Sequence, residues 1–420
     1  MVSAADNSHA VGDCILFSTA DWDAPYLTNK QHTARTLTRL GWRVLYIESP
    51  GLRPPKITSG TDWVRTWRRL WRGLRSNFIG PWHCAKNTWV ISPLMFPFKH
   101  HWPIVRFFNQ SLLGWSIARF ARKQELVDPV IWTYHPFMLD SVGHLQHGPL
   151  VYHCVDDLAA VPGTDAAMLN GAEQELLREC AVVFTTTIRL LERCLPFNAN
   201  THYFGNVADV AHFRQALTSG RLPADLEVIP CPRLVYHGVL SDFKLDFSLI
   251  LAAVNKAPAW QWIFIGEERE GQRNEVISQL RAYPNVHFIG YRSYEDLPLY
   301  LRGMSVGLLP TSLNTYTQAM FPMKFFEYLA AGLPVVSTPL DFIRGGFDGL
   351  EVGGTPDEFV AAIARQLHRG RLTADESSDY VGDNTWDARI AKMLDCIRPL
   401  LAGFDQPDGS PGTSKGIGNE

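Results

Sequence analysis

The 420-residue sequence is first informative through what it lacks. It has no run of about 18 or more apolar residues, so no membrane-spanning helix is expected. Its opening, "MVSAADNSHAVGD", lacks the basic and then apolar pattern of a secretion signal. The seven cysteines, at 14, 84, 154, 180, 194, 231 and 396, form no CxxC pair. They read as reduced thiols, which predicts a cytoplasmic protein. No His/Asp cluster with metal-ligand spacing is evident, so no metal is expected. A net charge of −3 leaves no basic excess, and no nucleic-acid partner is expected.

What is present is an ordinary globular composition, 46% hydrophobic and 19% charged, on a chain long enough for two or three domains. Strand-like runs alternate with helical ones throughout. "CILFST" leads into "NKQHTARTLTRLG" and then "RVLYIES", with Asn29 or Thr28 as the helix N-cap and Gly41 as its C-cap signal. "PVIWTY", "LVYHCV" and "AVVFTTT" follow. A second series reads "RLVYHGVL", "WQWIFIG", "VHFIG", "SVGLLP" and "LPVVSTP". Short apolar strands between helices imply parallel sheets covered on both faces. The predicted fold class is therefore α/β, with two doubly wound Rossmann-like domains facing a cleft. The expected divisions are a flexible start at 1–12, a first domain at 13–205 and a Pro-rich linker at 206–232. A second domain at 233–384, a helix at 385–403 crossing back to the first and a disordered tail at 404–420 complete them. In such sheets ligands bind beyond the carboxyl ends of the strands.

Five blocks of the second half carry a family likeness. They are "YHGVLSDFKLDFSLI" (236–250), "WIFIGE" (262–267), "NVHFIGYRSYEDLPLYL" (285–301), "SVGLLP" (305–310) and "FPMKFFEYLAAGLPVVSTP" (321–339). In that order they resemble glycosyltransferases of the GT-B fold, of the group 1, family 4-like type that builds bacterial cell envelopes and exopolysaccharides. The first half resembles the family more weakly, through "YHCVDDLAAVPG" and "GNVADVAHF". The resemblance implies a nucleoside-diphosphate sugar held by the second domain, UDP or GDP being the expected carriers, and no bound metal or cofactor. It places Glu327 on the donor ribose and Lys244, beyond Gly238, on the diphosphate. It places the base near Tyr291 and Arg292. The residues supply their own reason for a phosphate site: Pro322 can occupy a first helical turn, where free N–H groups and Lys324 would face an anion.

The sequence also departs from the family. Ala319 stands where a second glutamate is usual, and Val239 follows Gly238 where an arginine is usual. Asn314 or Gln318 could hold the donor sugar instead. The first loop, "DWDAPYLTNKQH", has no glycine, so the usual close backbone approach is lost; Asn29, Lys30 and Gln31 open its helix and could still approach the donor phosphate or the acceptor, or Lys30 could simply be solvated. For the catalytic group, His135 ends one predicted strand, and Asp156 and Asp157 end the next. Either could take the acceptor proton or stabilise charge at the sugar carbon. Equally, Asp157 could be a helix cap and His135 a turn residue. Asp21 and Asp23 are further candidates.

"DWVRTWRRLWRGLRS" (62–76) sets Trp63, Trp67 and Trp71 on one helical stripe and Arg65, Arg68, Arg69, Arg72 and Arg75 around it. That pattern suits a helix lying in an anionic membrane interface, and "MFPFKHHWPIVRFF" (95–108) extends it. A helix packing its tryptophans on the core would read the same way. The combined expectation is a metal-independent glycosyltransferase at the inner face of the plasma membrane. It would pass a sugar to a hydroxyl of a lipid-linked or envelope glycan acceptor. A nucleotide-sugar epimerase of the same fold and a non-catalytic binding protein are the alternatives.

Overall fold

The computed structural model describes residues 10–49, 71, 73, 75–76, 80–93, 103–143, 145–268 and 274–401. These residues build two sheets. The first comprises β1 (Asp13–Phe17), β2 (Arg43–Ile47), β3 (Trp82–Ala85), β4 (Thr88–Ile91), β5 (Val130–Thr133), β6 (Leu150–Cys154), β7 (Val182–Thr185) and β8 (Thr201–Tyr203). Its order is β3-β4-β2-β1-β5-β6-β7-β8, parallel except for the antiparallel β3–β4 pair. The second comprises β9 (Arg233–His237), β10 (Gln261–Ile265), β11 (Val286–Gly290), β12 (Val306–Leu309), β13 (Val335–Ser337) and β14 (Leu350–Val352). Its order is β11-β10-β9-β12-β13-β14, all parallel. This is the doubly wound α/β architecture that the alternation predicts.

The period-two geometry of a strand explains why these runs are apolar throughout. In β1, Cys14 and Leu16 enter one core while Ile15 and Phe17 enter the core on the other face. In β9, Val235 points one way and Leu234 and Tyr236 the other. Helices α1 (Asn29–Arg39), α2 (Pro103–Lys123), α3 (Ala166–Glu179) and α4 (Ile188–Cys194) belong to the first body. Helices α5 (Phe247–Lys256), α6 (Lys324–Ala330) and α7 (Pro356–Arg369) belong to the second. Helix α8 (Trp386–Ile397) returns to the first body, where Trp386, Ile390, Met393, Leu394 and Ile397 join the core beneath β1 and β5.

Two features differ from the sequence reading. The segment 206–232 is packed structure rather than a free linker. It holds helical turns at Val210–Phe213 and Ala224–Glu227, and Phe213, Ala216, Leu226 and Ile229 are buried in the second body's core. Its prolines punctuate those turns and its apolar residues fix them. The strands β3, β4, β8 and β14 were also not anticipated. They span three or four residues and mix polar with apolar side chains, so no apolar run marks them.

Each sheet reverses its winding direction at one place, between β1 and β5 in the first and between β9 and β12 in the second. Loops leaving neighbouring strands diverge at such a point and open a crevice at the strand carboxyl ends. The loops at 238–244 and 310–318 flank one crevice, and those at 18–28 and 134–135 flank the other.

Candidate active site

The second-body crevice is built on close backbone approach. Gly238 has φ +120° and Gly266 φ +144°, a region that L side chains rarely adopt. A Cβ on Gly266 would lie 2.0 Å from the carbonyl oxygen of Gly238, and one on Gly238 would lie 2.9 Å from Nζ of Lys324. The lysine ammonium therefore rests directly against the glycine turn after β9. Its Nζ also lies 5.4 Å from the centre of the Tyr236 ring.

Lys324 opens α6, and Glu327 lies in the first turn of the same helix. Pro322 precedes the helix by two residues rather than starting it, but its carbonyl already accepts from the N–H of Phe325 at 3.1 Å. Glu327 is buried, 6% exposed, with its Oε2 3.3 Å from Nε2 of His237. Burial, assisted by Lys324, holds His237 well below its ordinary pKa, so this is contact between a carboxyl and a neutral ring. Burial pushes the Glu327 carboxyl up to about 7, against the pull of Lys324. It lowers the pKa of Lys324, against the pull of Glu327. Titratable groups shifted this way in a crevice mark a candidate functional site.

Lys244 lies across the same crevice. Its Nζ is 4.9 Å from the Tyr316 ring centre and 5.7 Å from that of Phe243. Asn314 is engaged by the fold at both ends of its amide: its Oδ1 accepts from the Thr317 N–H at 3.0 Å, and its Nδ2 donates to the Phe243 carbonyl at 2.7 Å. It fastens the 310–318 loop to the 238–244 loop and thereby sets Tyr316 and Lys244. Gln318 donates to the Pro339 carbonyl at 3.5 Å. Ala319 is buried at 1% exposure, and its carbonyl accepts from the hydroxyl of Thr187, the residue that caps α4 of the first body. The place of the missing glutamate is thus covered by the opposite body.

Tyr291 and Arg292 have separate surroundings. The Tyr291 hydroxyl donates to the Pro25 carbonyl at 3.1 Å, and its ring meets Tyr26 edge-on at 5.6 Å, which joins the two bodies at one rim of the cleft. Arg292 turns back to Asp225 at 2.7 Å and to the Tyr300 hydroxyl at 2.6 Å.

On the first body, the structure separates the two aspartates. Asp156 faces the cleft: its Oδ1 accepts from the Tyr316 hydroxyl at 3.0 Å, and its Oδ2 lies 3.8 Å from Lys30 Nζ. Asp157 turns away into an ion pair with Arg193 at 2.8 Å, and Arg193 also holds Glu173 at 3.0 Å. His135 caps the short helix at Pro136–Met138, with Nδ1 accepting from the Phe137 N–H at 3.2 Å. Its Nε2 is buried and has no hydrogen-bond partner among the described residues. Burial brings its pKa down to about 4, so the ring is neutral near pH 7.

The glycine-free loop after β1 is tied by side chains. The N–H of Trp22 donates to Glu48 at 2.8 Å, and Gln31 donates to the Asp21 carbonyl at 2.9 Å. Gln31 also accepts from the N–H and hydroxyl of Thr28. These bonds turn the first turn of α1 inward, where Asn29, Lys30, Gln31 and His32 are all buried. The sequence singles out Asn29, Lys30 and Gln31 as able to face the cleft but leaves Lys30 open to being solvated and does not name His32; the structure buries all four. The local signal is four polar residues in a row at a predicted helix start.

Of the Trp/Arg segment, Trp71 and Arg75 are described, both exposed, with Trp71 at 60%. Trp63, Arg65, Trp67, Arg68, Arg69 and Arg72 lie outside the described residues. Among the described residues no helix is long and apolar enough to cross a membrane, and no group of three or more His, Cys, Asp or Glu gathers at metal-binding distance.

Comparison with known proteins agrees with this geometry. Residues 231–369 match the family "Glycosyl transferases group 1". A stretch of 129 residues is 36% identical to the putative teichuronic acid biosynthesis glycosyltransferase TuaH of Bacillus subtilis, covering 30% of this chain and 32% of that protein. The chain thus aligns with about a third of that curated relative's length. Sucrose-phosphate synthase from Thermosynechococcus elongatus superposes with TM-score 0.66 at 14% identity, over 93% of this chain and 99% of the other. Anabaena HepE in complex with UDP superposes with TM-score 0.61 at 14% identity, over 93% and 100%. Residues 231–369 therefore match a glycosyl transferases group 1 domain, and the chain has the two-body fold of these structural neighbours.

Proposed function

We propose that the protein is a glycosyltransferase that moves a sugar from a nucleoside-diphosphate sugar to a hydroxyl of a lipid-linked or envelope glycan acceptor. One observation carries the reading. Lys324, Glu327 and the Gly238 turn converge at the switch point of the second sheet, opposite Asp156 of the first. Two lysines, one resting against the glycine turn, suit a diphosphate without a metal. A buried carboxylate one turn along suits ribose hydroxyls. Asp156, which meets Tyr316 of the second body, is the group we assign to take the acceptor proton, with His135 as the second candidate. The identity to a teichuronic acid enzyme supports an envelope polysaccharide acceptor, and the UDP bound by HepE supports a uridine donor.

A peripheral position on the inner membrane face fits the exposed surface. Trp71 is exposed, and on α2 Phe107, Phe108 and Trp115 are 64%, 60% and 53% exposed, with Arg119 over the Trp115 ring at 5.7 Å. Aromatic side chains beside guanidinium groups match a lipid interface.

The test is to supply UDP- and GDP-sugars with and without an envelope lipid extract and to follow nucleoside-diphosphate release. Release that requires the extract, and disappears in Asp156→Asn, is the expected result. Conversion of the donor sugar without an acceptor would select the epimerase. Nucleotide binding without turnover under any condition would select the non-catalytic protein.

A further inference from the structure

A cavity opens at the end of the second body opposite the donor crevice. Met304 leads into β12 and Gly332 into β13, so the groups around them stand at the strand amino ends. There a space of about 570 Å³ lies between the segment 216–222, Arg302, Arg371 and the start of the helix Ala374–Val381. Two guanidinium groups line it, and among the described residues no carboxylate does. Arg302 follows the helical turn Leu297–Leu301. It donates to the carbonyls of Gln215 at 3.1 Å and Arg221 at 3.4 Å and to the Thr218 hydroxyl at 3.2 Å. Gly220 permits this, because a Cβ there would collide with Nη1 of Arg302. The Nε of Arg302 is buried and has no hydrogen-bond partner among the described residues.

Arg371 donates to the carbonyls of Leu301 at 3.0 Å, Met304 at 2.5 Å and Ala331 at 2.6 Å. Burial brings its pKa down to about 10, so it stays charged near pH 7. Every partner of the two arginines is a neutral oxygen. Such bonds satisfy N–H groups but leave two positive charges uncompensated in a half-buried place. Acids on the flanking helical turns are engaged elsewhere: Asp225 pairs with Arg292 and Glu376 with Arg369. Glu227 and Asp375, on the same turns, do not line the cavity. The guanidinium fork matches phosphate oxygens, and the space is large enough for a small ligand.

We propose that this cavity binds a small phosphate dianion, either inorganic phosphate or the phosphate of a sugar ester. The Nε of Arg302 and the hydroxyl of Ser219 would donate to its oxygens, and Arg371 would supply the second positive charge. The hydroxyl of Thr218 is not available to donate, since it is spent on the Gln215 carbonyl at 2.8 Å. Leu217 and Leu222 give the cavity an apolar wall against which the carbon skeleton of an ester can rest. Binding is non-covalent. The site is separate from the donor crevice and does not depend on how that crevice is read.

The experiment is calorimetric titration of the full chain, at fixed ionic strength, with inorganic phosphate, glucose 6-phosphate and glucose. Wild type, Arg302→Gln, Ser219→Glu and Lys324→Met would be compared, with unfolding midpoints measured alongside. Wild type should bind the phosphates and not glucose. Tighter binding of the ester would assign the site to a sugar phosphate, and equal binding would assign it to free phosphate. Arg302→Gln should weaken binding by about tenfold or more, the size of one lost hydrogen bond to a charged group. Ser219→Glu sets a carboxylate beside the same arginines. It should abolish phosphate binding and raise the unfolding midpoint, which decides the matter if Arg302→Gln folds poorly. Lys324→Met, in the donor crevice, should leave phosphate affinity unchanged. Phosphate binding that survives Ser219→Glu, or that is lost in Lys324→Met, would overturn the proposal. So would the absence of phosphate binding to wild type at millimolar concentrations.

Discussion

The two bodies share a fold but organise their crevices differently. In the second, the candidate donor-binding groups follow two strands that are neighbours in the sheet, β9 and β12. Gly238 and Lys244 follow β9, and Lys324 and Glu327 share one helical turn. In the first, the groups come from distant places. Lys30 lies on α1, Asp156 follows β6, and their contact depends on Tyr316 from the other body. A local site is held by the chain's own turn chemistry, whereas an assembled site exists only when the parts are docked. The second body should therefore keep its ligand preference under changes that disable the first.

The largest break in that comparison is expected from Lys324→Ala. A hydrogen bond to a charged group contributes about 1.5–3 kcal/mol, so nucleoside-diphosphate affinity should fall by about 10- to 100-fold in a titration. Asp156→Asn should have the opposite signature. Turnover should drop by about 100-fold or more, as loss of a general base does, while nucleotide affinity does not fall. A parallel loss of affinity would place Asp156 in the donor site instead.

Next in size is Gly238→Ala. It combines a positive φ with a Cβ 2.7 Å from Cε of Lys324, so it should cost binding even if the fold tolerates it. Unchanged affinity would mean that Lys324 can move aside freely. Asp157→Asn sharpens the contrast with its neighbour. It removes an ion pair to Arg193 outside the cleft. Thermal stability should fall modestly, and turnover per folded molecule should stay near wild type.

The smallest effect is a pH dependence. Glu327 has its folded-state pKa raised to about 7, so the native state holds its proton more tightly than the unfolded chain. Its contribution to stability is present below the unfolded pKa, near 4.5, and is lost as pH rises through about 7. Glu327→Gln should flatten that decline between pH 5 and 8 in melting curves. A decline of the same slope in the variant would assign it to other groups.

The same contrast explains how much was legible in the sequence. Strands β9 to β13 of the second body appear as apolar runs ending in glycine or proline, and Lys244, Lys324 and Glu327 stand in the blocks that carry the family likeness. Gly238 announced itself by its place after "LVYH". What could not be read was direction. Asp156 and Asp157 are adjacent in sequence, yet one meets Tyr316 and the other Arg193. Asn314 has the chemistry to hold a sugar, but it caps a helical turn and its Nδ2 donates to the Phe243 carbonyl of the facing loop. Arg292 stands beside the expected base site and pairs with Asp225, from the segment read as a linker. In each case a tertiary partner chose between roles that the side chain alone permits.

The most direct test is a thermal-shift measurement with UDP, GDP, ADP and dTDP on wild type, Lys244→Ala and Glu327→Ala. A ligand at about 100 times its dissociation constant should stabilise the protein by roughly 2.7 kcal/mol. The account predicts that one nucleotide raises the wild-type midpoint and that both variants lose most of the rise. An equal rise in all three proteins would place the nucleotide elsewhere and contradict it.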